Sequence, residues 1–203
     1  VSVLLMQRMK KFVEKNPQVK IRIYTQDDNF NFFSLGVDCA ILPKIDNHEG
    51  LTVRKIGSLN FVYYASQSYL AQYGMPKSIE DIKNHRVMSF YLNHQGYVGN
   101  VDWHLKGENG EELLKPTMTI NNALTTISAA SEGYGMVMLP RGLNLLSALD
   151  FTEVLPDKIS RTFDYFYAVR NDEPETPLLQ EFYQCLMESE QDKNASSLQA
   201  KGR

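Results

Sequence analysis

The sequence predicts an α/β fold, and three observations predict it. Apolar residues between Val3 and Leu42 switch in turn between a helical period and a period of two, giving helix, strand, helix, strand. Short apolar runs are bounded by turn residues throughout the chain. Side chains able to cap a helix stand at predicted helix starts, such as Ser66 and Asn121-Asn122, and glycines such as Gly74 and Gly133 stand at the ends.

Val3–Lys15 places Leu5, Met6, Met9, Phe12 and Val13 on one helical stripe, with Lys10, Lys11 and Lys15 elsewhere. Asn16-Pro17 ends it. Val19–Tyr24 sets Val19, Ile21 and Ile23 against Lys20, Arg22 and Tyr24, the period of a half-buried strand. Asp27 or Asp28 caps a short helix that stops at Gly36. Val37–Leu42 reads as a parallel strand covered on both faces. Its Asp38 is expected to bond a neighbouring loop's backbone, because a buried carboxylate must be paired.

Leu59–Ala65 (LNFVYYA) is a strand by its aromatic and β-branched content. Ser66 caps a helix over Gln67–Gln72, Gly74 stops it, and Pro76 follows. Ser78 caps a second short helix, with Asp81 three residues on as in a capping box. Arg86–Phe90 is a strand, and Tyr91–Asn109 is a long polar and aromatic excursion. Pro116–Ile120 is a strand, and Asn121 or Asn122 caps a helix reaching Ser131 that Gly133-Tyr134-Gly135 ends. Met136–Leu139, closed by Pro140, is the next strand. A short helix Leu143–Leu149, strands Phe151–Leu155 and Phe163–Arg170, and an amphipathic helix Pro177–Glu188 complete the order. Residues 189–203 offer little apolar surface to bury and are expected to form a flexible tail.

Composition narrows the function. With 203 residues the chain has room for a good core, as one domain or two small lobes. A net charge of −3 argues against nucleic acid binding by this chain itself. The basic stretch from Arg8 to Arg22 is a solvated face. No apolar run reaches the roughly 20 residues of a membrane span, and no signal peptide is visible. Cys39 and Cys185 read as small buried hydrophobes, so a cytoplasmic location is expected. The start at Val1 gives the expectation of a piece of a longer protein.

The segment Ala65–Arg86 carries an ordered set of residues: Ala65-Ser66, Tyr69-Leu70, Gly74, Pro76, Asp81-Ile82 and His85-Arg86. It resembles a segment of the effector-binding domain of LysR-type transcriptional regulators. Gly36-Val37-Asp38 with Ala40-Ile41, Gly133-Tyr134-Gly135 through Leu139-Pro140, Trp103 and Phe182 extend the resemblance over nearly all of Leu5–Leu186. It implies two Rossmann-like lobes of the type 2 periplasmic-binding-protein kind, joined by two crossing strands near Gly57–Tyr63 and Phe163–Tyr167. Lobe I would be residues 1–58 plus 167–188 and lobe II residues 59–166, with a small-molecule effector between them. It also implies a homodimer or homotetramer, and DNA binding only through an N-terminal winged helix-turn-helix that this chain does not contain. The family's first strand, ahead of the first helix, has no counterpart here.

In open α/β sheets ligands sit beyond the carboxyl ends of the strands. That rule marks Thr25, Leu42-Pro43, Phe90-Tyr91, Asn121-Asn122 and Pro140 as effector-binding candidates, and Ser2 joins them if it occupies the family's first loop. Asn121-Asn122 leads, because a helix N-terminus offers free N–H groups to a carboxylate; the plain alternative is that the asparagine only caps its own helix. Leu42, Phe90 and Tyr91 also suit simple packing. No G-x-S-x-G elbow, phosphate-loop glycine pattern or H-E-x-x-H is present, and His48, His85, His94 and His104 lack metal-ligand spacing. The expected protein is therefore not an enzyme and holds no cofactor and no metal. It is the effector-sensing domain of a regulator, with a free-standing solute-binding protein of a transporter as the alternative.

Overall fold

The computed structural model describes residues 2–25, 32–42, 49–90, 103–106 and 113–200. In chain order the elements are α1 (Ser2–Lys15), α2 (Phe32–Leu35), β1 (Ala40–Leu42), β2 (Leu51–Ser66), α3 (Gln67–Tyr73), β3 (Met88–Phe90) and β4 (Met118–Ile120). There follow α4 (Ala123–Ser131), β5 (Val137–Pro140), α5 (Asn144–Ala148), β6 (Phe151–Val154), β7 (Ser160–Arg170) and α6 (Pro177–Ala200), with 3-10 turns at Glu80–Asn84 and Trp103–Leu105. The chain divides into two compact units, with boundaries at Ser58/Leu59 in β2 and Phe163/Asp164 in β7. Both boundaries fall inside continuous strands. Side-chain bonds Ser58–Asp164 (2.7 Å) and Asn60–Thr162 (3.1 Å) step backward along β7 as β2 advances, so the two strands are antiparallel.

In the first unit, α1 buries Met9 and Phe12 against α6, where the Phe12 and Phe182 rings meet edge to face at 5.0 Å. Met6 and Val13, expected on the same stripe, are exposed. The Asn16 side-chain amide donates to the Phe12 carbonyl at 3.1 Å and closes the helix. Phe32, Ala40, Leu42 and Ala168 form a small core beneath α2, and Gly36, at φ +59°, ends that helix as expected.

Four expectations for this unit need correction. Val19–Tyr24 joins no ladder among the described residues, and Ile21 and Ile23 are 42% and 44% exposed. Alternation gives a segment the capacity to be a strand, but only a paired neighbour makes it one. β1 is antiparallel to β7 (Ala40↔Ala168, Leu42↔Phe166), not a parallel strand. Asp38 is exposed and solvated, so no buried partner is needed. The final helix does not stop at Glu188: α6 continues to Ala200 through most of the expected tail, where Glu, Gln, Lys, Ala and Leu favour helix and no glycine or proline intervenes. Of the two thiols, Cys185 is buried and Cys39 half-buried.

In the second unit, β4 and β3 pair in parallel (Met88↔Met118, Phe90↔Ile120), and a parallel bridge Val87↔Met136 aligns β3 with the start of β5. β2 then pairs antiparallel with β5 (Phe61↔Pro140) and with β6 (Tyr63↔Val154). The core gathers Tyr63, Tyr69, Ile82, Val87, Met136 and Val154. Each aliphatic side chain fully buried there contributes about 1.5–3 kcal/mol. Gly135 is obligatory where β5 approaches β3: a Cβ on it would lie 2.8 Å from the Arg86 carbonyl oxygen. No helix among the described residues is long and apolar enough to cross a membrane.

Candidate functional site

The most recognisable stretch of the sequence is scaffolding. Ser66 caps α3 with its hydroxyl, which accepts from the Tyr69 N–H at 3.4 Å, and Gly74 at φ +81° terminates the helix. Ser78 and Asp81 form the expected capping box: Ser78 Oγ accepts from Asp81 N–H (3.1 Å), and Asp81 Oδ2 accepts from Ser78 and Lys77 N–H (3.0 and 2.8 Å). Those backbone donors hold the Asp81 carboxyl below its usual range. The helix they begin is a 3-10 turn that seats Ile82 in the core. The Tyr69 ring is buried, and its hydroxyl accepts from Arg86 N–H at 2.8 Å while lying 3.1 Å from His85 Nδ1. Burial pushes the His85 imidazole below its ordinary pKa, with Asp81 opposing. These bonds tie α3 and the 3-10 turn to the chain entering β3.

Parallel register gathers some of the candidate effector residues. Phe90 ends β3 beside Ile120, the last residue of β4, so Asn121-Asn122 follow at the same edge. The β3–β5 alignment brings Pro140, the end of β5, to that edge as well. Phe90 is half-buried, Pro140 buried, and Asn121 and Asn122 exposed. Asn122 is the cap of α4: its Oδ1 accepts from Thr125 N–H at 2.9 Å and from the Thr125 hydroxyl at 3.1 Å.

The first unit holds the other candidates. Leu42 ends β1 as a core residue, and Thr25 is exposed at the end of the unladdered segment. Ser2 is the first residue of α1, not part of a preceding loop. Pro43 and Tyr91 lie outside the described residues, as do Asp27, Asp28, His48 and His94.

Two clusters went unread in the sequence. In the first unit the Arg54 guanidinium stacks over Tyr183 (4.3 Å) and Tyr167 (5.2 Å) and pairs with Glu175 at 2.5 Å. Tyr167 OH donates to the same carboxylate at 3.1 Å. Beside it the Cys39 thiol is pushed up to about 12, first by burial and then by the charges of Asp38 and Glu175. Such a thiol stays protonated and unreactive. In the second unit Arg161 lies over Phe163 (5.1 Å) and Trp103 (5.6 Å), while Tyr63 OH and His104 Nδ1 meet at 2.6 Å behind Trp103. Both clusters join residues remote in sequence, so only the lone tryptophan could have hinted at the second. Among the described residues no group of three His, Cys, Asp or Glu side chains is placed to hold a metal.

A parallel three-strand edge with a capped helix N-terminus, built on two long antiparallel strands, defines an α/β module. The family model described as the LysR substrate binding domain matches residues 1–191, and the chain belongs to that family. It is 28% identical over 157 residues to an uncharacterised HTH-type transcriptional regulator, YhjC, of Escherichia coli K12, covering 75% of this chain and 52% of that protein. The chain thus spans about half the length of the curated relatives it matches. Among solved structures it resembles the regulatory domain of CrgA, a LysR-type transcriptional regulator from Neisseria meningitidis. The TM-score there is 0.77 at 23% identity, covering 93% of both chains. It also resembles the effector domain of the transcriptional regulator AmpR of Pseudomonas aeruginosa, with a TM-score of 0.73 at 17% identity, covering 97% of this chain and 93% of that one. These likenesses establish the fold, and the family is one of transcriptional regulators rather than enzymes.

Proposed function

We propose that this chain is the effector-sensing and dimerisation domain of a LysR-type DNA-binding regulator acting in the cytoplasm, and that its effector is a small carboxylate-bearing metabolite. The observation that carries the reading is the family match over residues 1–191. The carboxylate preference is supported by the α4 N-terminus at the edge shared by Phe90, Asn121-Asn122 and Pro140. Thr25, Leu42, Pro43 and Tyr91 complete the proposed effector-binding set, and Ser2 leaves it because it opens α1. DNA would be bound by a helix-turn-helix domain elsewhere in the parent protein, and effector binding would act by favouring one of two states of the regulator. Membership in a family of regulators weighs against a free-standing solute-binding protein of a transporter.

A thermal-shift screen of small mono- and dicarboxylates against the chain tests the reading. A compound at about 100 times its dissociation constant adds about 2.7 kcal/mol, which for about 200 residues raises Tm by about 5–11 °C. A panel in which carboxylates and their neutral amides are equally without effect would overturn it. Sedimentation of the same chain should give a dimer or tetramer.

A further inference from the structure

The effector reading leaves the Arg161 cluster unassigned. Among the described residues Arg54, Lys55, Arg141 and Arg170 are each paired with a carboxylate. Arg161 has no carboxylate there: two aromatic rings lie under its guanidinium, Phe163 at 5.1 Å and Trp103 at 5.6 Å. It is exposed at the start of β7, and the rings beneath it are only half-buried. A guanidinium over aromatic rings can still pair through its N–H groups with a planar anion.

The platform is fixed on both sides. Phe61 meets Phe163 at 90° with centroids 5.5 Å apart, and Phe61 pairs in register with Pro140, a residue of the proposed effector edge. Trp103 is held by its own turn: His104 Nδ1 is bonded to the buried Tyr63 hydroxyl, and the buried Leu105 carbonyl accepts from the Leu113 and Leu114 N–H groups. A fixed cation beside three partly exposed rings presents one charge and an apolar wall to a single ligand.

We propose that Arg161, Trp103, Phe163 and Phe61 form a recognition subsite for a planar aromatic carboxylate. The carboxylate pairs with the outer edge of the Arg161 guanidinium, and the ring of the ligand covers Trp103 and Phe61. This deepens the effector-sensing reading and rests on it, because it names the chemical class of the effector.

Trp103 is the chain's single tryptophan, so its fluorescence reports on this subsite alone. Benzoate is titrated against the intact chain, with benzyl alcohol as the neutral ring and inorganic phosphate as the anion without a ring. The expected result is a saturable change in Trp103 emission with benzoate only. R161Q should weaken it about ten- to hundredfold, as loss of a charge-assisted pair does. R161K, which keeps the charge but not the planar fork, should fall between. Unchanged melting of the variants shows that the fold persists. Saturation by phosphate as tightly as by benzoate, or benzoate affinity unaltered in R161Q, overturns the proposal. So does a silent Trp103 with a carboxylate that stabilises the chain in the thermal screen; that result leaves the sensing reading in place. A chain that no carboxylate stabilises fails both.

Discussion

Replacing Tyr69 with phenylalanine deletes one oxygen and tests the account of the motif region. That oxygen accepts from the Arg86 N–H at 2.8 Å and lies 3.1 Å from His85 Nδ1, with the ring itself buried. The substitution keeps the apolar packing and leaves a partly buried N–H and an imidazole nitrogen without their shared partner. An orphaned backbone donor costs about 1–3 kcal/mol, and a neutral side-chain bond contributes about 1 kcal/mol. The sum, about 2–4 kcal/mol, lowers Tm by about 4–16 °C for about 200 residues. The control is Y73F: the Tyr73 ring lies 4.7 Å from Tyr69, but no described residue bonds its hydroxyl, so the change should stay within about 0.5 kcal/mol. Thermal and urea melts followed by circular dichroism read both variants. Because Tyr69 and His85 share a bond, Y69F and H85A should also combine non-additively. If Y69F melts within experimental error of Y73F, the hydroxyl does not hold α3 and the 3-10 turn to β3, and the reasoning fails.

Further outcomes follow from the same geometry. Because burial depresses the His85 pKa below the 6.5 of a free imidazole, its contribution is complete above pH 6.5 and is lost as pH falls through the folded value; Tm should drop between pH 7.5 and 5.5, and H85Q should flatten that slope. N122A should cost about 1 kcal/mol of stability through the lost cap, whereas N122D keeps the cap yet places a negative charge at the proposed effector edge. N122D should therefore melt like the parent chain and lose the stabilisation given by carboxylates in the thermal screen. G135A sets a Cβ 2.8 Å from the Arg86 carbonyl, so it should destabilise by about 1–3 kcal/mol in urea melts.

Local chemistry was legible in the sequence, and long-range pairing was not. The Ser66 cap, the Gly74 stop, the Ser78–Asp81 box and the Asn122 cap each span a few residues, and each is found where the side chains predicted it. Val19–Tyr24 shows the opposite case. Its alternation is real, but pairing depends on a partner that the segment itself does not specify. The antiparallel setting of β1 depends on β7, far along the chain, and a short apolar run carries no signal for direction. At the proposed site, the rule of strand ends named Phe90, Asn121-Asn122 and Pro140, which register brings to one edge. It could not name Arg161 or Phe163, because they sit within a strand and acquire their partner Trp103 only through the fold.

On the proposed function, a small molecule bound by this domain changes what its parent regulator does on DNA. The direct measurement is operator binding by the full-length parent protein, by fluorescence anisotropy and footprinting, with and without the carboxylate that most stabilises this chain. At saturating compound, operator affinity should shift by about 5–150-fold, or the footprint should change. Identical affinity and an identical footprint under both conditions would contradict it.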